Sequence, residues 1–598
     1  MQFPSISALL QHIRYAWQRF PAAALMALLG MVLCMIFVEK QYHGQAEDWI
    51  PRIIMTIALG MPLLLGIAVA AEAYGWSMAR TWLTKGIAVA ALGWYYSSLD
   101  VSTNTDSAKD IFRFIAFALV AHCWIASAAF FSKKEGAVLS FWEYNKILLA
   151  QWIVAAFYGL VLYVGISLAI LGIDQLFGLD WPFRVYAHLF FVIALGFHPI
   201  YFLSQMPKVY DLSEEDPAYT AAIRNLVKYI LIPLTLLYLL ILYAYIVKIG
   251  IEWAWPKGYV SSLSLGFSMV GILTYLLNYR LVETDDSTFL AWFRRWFFYL
   301  LSPIVPVMLL AIGRRLNDYG VTEPRFVVAT LGAWLFLVCL YFILSKKDDI
   351  RFIPISLGVI AFLCMAGPWG ATAVSCRSQF GEMKTILSKN GILVDGKAQP
   401  GKGSITEEER FRLSSVIDFL AERHALQQAQ AWFSPNLDTI FQKNASPYGV
   451  STAILEYLKL EASASQAQNG SFSFGRLTGG LPAKGYEKLF RIDLYASAEQ
   501  EFKNDSITLS LNNEAGLKLR SGKSEESLDL KPYIQGLLDK YKDGFYYVNI
   551  ENPADAFVNL SGKKWEVMLI PEGIGYEINK QQIRINNLNG TLLVKKRK

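Results

Sequence analysis

Apolar runs of about 18 to 25 residues recur between Pro21 and Gly370, separated by short charged segments. A helix rising 1.5 Å per residue needs about 20 such residues to cross roughly 30 Å of hydrocarbon. Lipid offers the backbone no hydrogen-bond partner, so each crossing segment must satisfy its own N–H and C=O groups as a helix. Eleven spans are expected, at about 21–38, 53–72, 82–99, 111–131, 147–173, 185–205, 229–247, 259–279, 296–313, 326–345 and 352–370. The third is the weakest, because Lys85 and the polar end SSLD leave it a short apolar centre. Charged residues make up only 17% of the 598, against roughly 25% in ordinary soluble chains. The deficit belongs to the first part, since the chain after Arg377 reads as soluble protein. The fold class expected is a polytopic α-helical membrane bundle followed by a soluble α+β domain with a mainly antiparallel sheet.

Lys and Arg are in excess on the side of the bundle shared with the amino terminus, where Lys133–Lys134, Arg294–Arg295 and Lys346–Lys347 fall. Cytoplasmic loops carry that excess. A cytoplasmic amino terminus and, after an odd number of spans, an extracytoplasmic carboxyl-terminal domain are therefore expected in a bacterial inner membrane. The run Pro21–Val38 is long for a signal-peptide core, and EKQYHG after it lacks a small-residue cleavage site. Residues 1–20 instead read as an amphipathic segment, lying in the membrane interface or packed on other protein, with Ile6, Leu9, Leu10, Ile13 and Trp17 at helical spacing. WAWPKGY (Trp253–Tyr259) reads as an interface anchor and DLSEEDPAY (Asp211–Tyr219) as a solvated inner loop.

Residues 21–376 form the expected membrane domain, 377–462 the helical part of the extracytoplasmic domain, and 463–598 its β-rich part. Thr406 and Glu409 give the Thr-x-x-Glu pattern of a capping box, opening a helix expected to run to Phe433. A second helix is expected at about 449–461, and Ser463–Ser471 reads as a polar linker. KLFRIDLYA, SITLSLN, GFYYVNI, KWEVMLI and QIRINNL alternate as strands do, and Leu528–Tyr541 reads as a helix among them.

P-loop, H-E-x-x-H, C-x-x-C and G-x-S-x-G patterns are all missing from the sequence, so no catalytic residue, cofactor or metal ligand is assigned. Residues 377–598 contain no cysteine, which removes a disulfide framework there. The net charge of +6 is too small to suggest nucleic-acid binding.

Polar residues inside the bilayer are costly and face the bundle interior or a wet cavity. His122, His188, His198 and Gln151 form the candidate intramembrane polar site. His188 and His198 stand ten residues apart, about 80° around a regular α-helix. They suit either hydrogen bonds between helices or proton relay near neutral pH. A second candidate lies in AIGRRLNDYGVTEPRF (Ala311–Phe326), where Arg314, Arg315 and Arg325 fall on the expected outer side against the charge bias. Three readings stay open for it: docking of the outer domain, binding of a phosphate or carboxylate, or snorkelling at a helix end.

FWEYNKILLAQWIVAAFYGLVLYVGISLAILGIDQLFG, WPKGYVSSLSLGFSMVGILTYLL, AIGRRLNDYGVTEPRF and GPWGATAVSCRSQF occur in that order. These blocks, across roughly residues 140–380, resemble the bacterial membrane family called domain of unknown function 4153. The resemblance implies a multi-pass inner-membrane protein and no activity, substrate or catalytic residue. Transport or envelope maintenance, handling a small solute or lipid-linked molecule, is the function expected. The alternative is a non-enzymatic scaffold or sensor whose extracytoplasmic domain binds a partner. Expected partners are membrane lipids and an envelope protein bound through residues 377–598, with no nucleic acid.

Overall fold

Helix α2 (Pro21–Tyr42) starts on a proline, whose fixed φ and missing N–H suit a first helical position. It follows α1 (Ile6–Arg19) and precedes α3 (Trp49–Ala73), α4 (Met78–Ser97), α5 (Ala108–Ser127) and α6 (Ala137–Phe177). Gly178, at φ +61°, closes α6 in the left-handed conformation that glycine adopts without strain. The computed structural model describes residues 6–597 apart from 46, 102–107, 132–135, 209–220, 253–258, 286, 346–347, 366, 424, 435, 438–446, 461–467, 475–484, 496–498, 503–506, 512–515, 523, 542–546, 551–554, 556 and 580–581. The acidic loop 211–219 and most of the tryptophan anchor at 253–259 lie outside the described residues.

Further apolar helices follow: α7 (Arg184–Ser204), α8 (Ile223–Glu252), α9 (Leu263–Glu283), α10 (Thr288–Asp318, interrupted at Ser302–Pro303) and α11 (Glu323–Leu344). Among the described residues nine helices have the length and apolarity to cross a membrane: α2, α3 and α5 to α11. The chain is a multi-pass membrane protein. The count falls below the expected eleven at two places. α4 is diluted by Arg80, Thr81, Thr84 and Lys85. Helix α12 (Phe352–Met365) is apolar but has 14 residues, about 21 Å of rise.

Wide π turns precede two prolines. Val192–Phe197 leads into His198–Pro199, and Val227–Leu231 leads into Ile232–Pro233. A proline cannot donate to the preceding turn, and an i→i+5 turn accommodates the break without ending the helix.

The chain divides into two compact units, Met1–Ser404 with Glu409–Leu458, and Ile405–Glu408 with Lys459–Lys598. In the first, α13 (Ala371–Lys389), α14 (Glu407–Glu422) and α15 (Pro447–Tyr457) accompany the apolar helices. Its core is aromatic at the centre, where Phe298 stacks on Phe342 at 4.4 Å and meets Tyr275 edge-on at 4.7 Å. The helix expected to reach Phe433 stops at Glu422. There Arg423 donates to the Phe419 carbonyl and the Ala425 N–H to Leu420, satisfying carbonyls that a helix end leaves open. A separate 3₁₀ stretch, Leu426–Trp432, follows.

The second unit holds two sheets. The larger orders β2 (Lys488–Tyr495), β10 (Gln582–Lys596), β9 (Trp565–Asn579), β1 (Gln468–Phe474) and β7 (Tyr547–Ile550), with β8 (Val558–Ser561) also on β9. All its pairs are antiparallel except β1 with β7. β1 takes up the end of the expected linker Ser463–Ser471, and residues 461–467 lie outside the described set. The smaller sheet is an antiparallel meander of β3 (Glu499–Phe502), β4 (Ile507–Leu511), β5 (Gly516–Ser521) and β6 (Ser524–Asp529). Leu509 and Leu519 of the meander share one buried cluster with Ile492, Leu569 and Leu592 of the larger sheet, and with Ile534 of α16 (Lys531–Lys540). This is the α+β domain expected, with two sheets in place of one.

Candidate functional site

The first turn of α5 is held against the end of α4. Asp110, fully buried, accepts the Asp100 N–H at 2.7 Å and pairs with Arg113 at 3.3 Å. A carboxylate in the first turn also suits the positive end of the helix dipole. Arg113 donates to the Ser98 carbonyl at 3.0 Å and to its hydroxyl at 2.7 Å, and Lys109 pairs with Asp100 at 2.9 Å.

Helix α12 packs alongside α5, with Phe362 tilted against Phe117 at 6.4 Å. It ends in the turn Gly367–Pro368–Trp369. Gly367 has φ +67°, a left-handed conformation that favours glycine, and the Trp369 ring stands 3.3 Å from where its Cβ would lie, a tight contact. α13 then starts after Gly370, which offers no side-chain cap, so the first-turn N–H groups take no partner inside the helix. One turn on, Arg377 donates to the Pro368 carbonyl.

Arg423 completes the arrangement from the end of α14. Its Nε lies 2.7 Å from Glu323 Oε1, its guanidinium stacks 3.6 Å over the Phe419 ring, and Glu422 approaches at 3.0 Å. Lys109, Arg113, Arg377 and Arg423 surround a cavity of about 570 Å³, floored by Gly370, Thr372 and Ala373. That volume is in the usual range for small-molecule sites, roughly 300–1,000 Å³.

Among the described residues no carboxylate lines this cavity. Asp100, Asp110 and Glu323 stand behind the cations they pair with, so they fix the positive groups in place and leave the wall itself cationic. Arg377 has no acidic partner among the described residues. Cys376 also lines the cavity, and burial, with Glu323 beside it, pushes its thiol up. The cysteine is therefore a neutral thiol there and not a thiolate nucleophile. Among the described residues no group of three or more His, Cys, Asp or Glu side chains is placed to hold a metal ion.

The four residues of the expected intramembrane site are placed apart. His122 is exposed on α5, with Nδ1 2.7 Å from the Ala118 carbonyl. His188 Nε2 lies 3.2 Å from Glu39, a carboxylate it shares with Arg184 at 2.8 Å. His198 meets Trp152 edge-on at 5.8 Å, and its Nε2 is buried with no hydrogen-bond partner among the described residues. Gln151 is half-buried on α6. No hydrogen bond, ion pair or ring contact among the described residues joins any two of these four. The π turn at Val192–Phe197 lies between His188 and His198 and carries about one extra residue, which adds roughly 100° to their separation.

In the arginine stretch, Arg314 is 59% exposed and pairs at 3.8 Å with Asp318 of its own helix. Arg315 is half-buried, and Arg325 donates to the Gly320 carbonyl at 3.0 Å. The stretch meets helices that follow Arg377. Ser378 accepts the Val321 N–H at 2.9 Å, Gln379 donates to the Val321 carbonyl at 3.0 Å, and Arg412 donates to the Asp318 carbonyl at 2.6 Å. Arg412, on α14, is one arginine that closes this contact.

The family model described as Domain of unknown function (DUF4153) matches residues 65–375, more than half of the chain. The chain belongs to the DUF4153 family. The DUF4153 match takes in Lys109, Arg113, α12 and the Gly367–Trp369 turn, while Arg377 and Arg423 lie beyond it. A relative from Pasteurella multocida (strain Pm70), titled "Uncharacterized protein PM1469", is 24% identical over 226 residues. The aligned stretch covers 37% of this chain and 37% of that relative's length. No solved structure matches the chain.

Sequence reasoning passed over all four cavity cations. The available signal was GPWGATAVSCR, where a Gly-Pro break at the end of an apolar run is followed by an uncapped helix bearing an arginine.

Proposed function

We propose that this DUF4153 protein acts in transport or envelope maintenance by holding an anionic small solute or lipid-linked molecule in the cationic cavity. The single observation that supports this is a wall of four cations, three of them anchored by carboxylates from behind, with no carboxylate facing in. Anchored side chains lose little freedom when an anion arrives, and charge-assisted hydrogen bonds to a carboxylate or phosphate are the strong ones.

The side of the membrane belongs to the same reading. The amino end of α5 and the carboxyl end of α12 meet at the cavity, so α5 to α12 make an even number of crossings and α12 is one of them; with α4 as another, the Lys and Arg excess near the amino terminus favours an extracytoplasmic cavity in a bacterial inner membrane.

Thermal denaturation of the purified full chain tests the proposal, with a panel of phosphate- and carboxylate-bearing solutes and lipids. At 100 times its dissociation constant a bound anion stabilises by about 2.7 kcal/mol. Stabilisation by at least one anion, lost in Lys109→Gln and Arg377→Gln, is the expected result. If no anion stabilises the chain, the scaffold or sensor reading takes its place.

A further inference from the structure

We infer that the cavity takes the phosphate headgroup of a membrane lipid, whose acyl chains lie along α5 and α12; this rests on the anion reading above. The cavity sits where the amino end of α5 meets the carboxyl end of α12. The two helices run side by side from there, with Gly358 against Cys123 and Phe362 against Phe117. Down α5 from Lys109, Ile111 and Ile115 are 41% and 57% exposed. On α12, Val359 and Phe362 are 54% and 51% exposed. Both pairs fall at helical spacing, so each helix presents an apolar stripe that begins beside the cavity and continues along a membrane-buried segment.

Trp369, 57% exposed at the turn between α12 and α13, marks the headgroup level, where an indole has both apolar and hydrated surroundings. A ligand spanning these features carries negative charge at one end and hydrocarbon at the other. Phosphate matches the charged end better than carboxylate does. It offers more acceptor oxygens, and Arg377, Lys109 and the first turn of α13 at Thr372 and Ala373 all line the cavity. A free phosphate would use the same cations and leave the stripes bare.

Native mass spectrometry of the full-length protein tests this, after release from nanodiscs of phosphatidylcholine doped with phosphatidic acid or phosphatidylglycerol. Parallel arms titrate inorganic phosphate and pyrophosphate into detergent-solubilised protein. The expected result is one anionic lipid retained at least tenfold over phosphatidylcholine, falling at least tenfold in the double variant Lys109→Gln/Arg377→Gln. Arg377→Lys should restore part of the retention, and unchanged far-ultraviolet circular dichroism would show that the double variant is folded. Equal lipid retention in a folded double variant overturns the inference. Variant-sensitive pyrophosphate binding without lipid retention also overturns it, while leaving the anion reading intact. Binding of neither anion removes both.

Discussion

Arg423 Nε and Glu323 Oε1 are 2.7 Å apart, and their side chains are 5% and 0% exposed. Glu323 opens a membrane-spanning helix and Arg423 follows α14, so one buried ion pair joins the apolar bundle to the helices after Arg377. Glu323 Oε2 is buried with no hydrogen-bond partner among the described residues, which makes Arg423 the group that offsets its charge. Removing one partner of a buried pair leaves the other uncompensated and costs about 3–5 kcal/mol. Glu323→Gln should therefore speed proteolysis between residues 377 and 458 and lower the melting temperature. Arg314→Gln should change protease sensitivity much less, because Arg314 is 59% exposed and pairs within its own helix.

Asp418 on α14 has its pKa pushed up to about 6, chiefly by burial, against a hydrogen bond from Ser451 that lowers it. A carboxyl whose folded pKa is raised favours the folded state at low pH. That contribution is complete below the unfolded value of 3.8 and is lost as pH rises through about 6. Stability of the α13–α15 region, followed by hydrogen exchange, should fall across this window. Asp418→Asn should flatten that part of the profile.

Gly66 on α3 faces Trp124 on α5, and a Cβ built there would lie 2.2 Å from the indole ring. A bulky, packed indole cannot withdraw as the tip of a flexible chain can. Gly66→Ala should cost about 1–3 kcal/mol through overpacking, read as a lower melting temperature in detergent.

Lys563, exposed between β8 and β9, offers a reporter of sidedness. Lys563→Cys should react with an impermeant maleimide added outside intact spheroplasts. Protection there, with reaction after lysis, would reverse the proposed orientation.

Span number and domain class were legible because they rest on hydropathy and strict two-residue alternation, which survive any tertiary arrangement. α4 and α12 fall short of the other nine in apolarity or length, which the run of apolar residues alone did not reveal. His188 and His198 were related by assuming a uniform helical pitch, and the π turn before Pro199 breaks that assumption. The cavity was hidden for another reason: Lys109, Arg113, Arg377 and Arg423 come from three separated parts of the chain, and only folding brings them together. The stretch Ala311–Phe326 drew attention through its arginines, and its contacts also use main-chain groups of Asp318 and Val321 and the carboxylate of Glu323, which carry no signal in the sequence.

Helix α6 runs unbroken for 41 residues, about 60 Å, which is twice the hydrocarbon thickness and beyond what ordinary tilts absorb. Its first turns are gripped, with Trp142 bonded to the Leu276 carbonyl and Asn145 to that of Ala126, while Ile153 to Ile173 is largely sheathed in exposed apolar side chains. Contacts with α7 continue as far as Tyr163, which meets Phe190 edge-on at 5.9 Å. Beyond it the rod overhangs its partner for about 20 Å, an apolar outrigger whose only large surface is the one it offers to lipid.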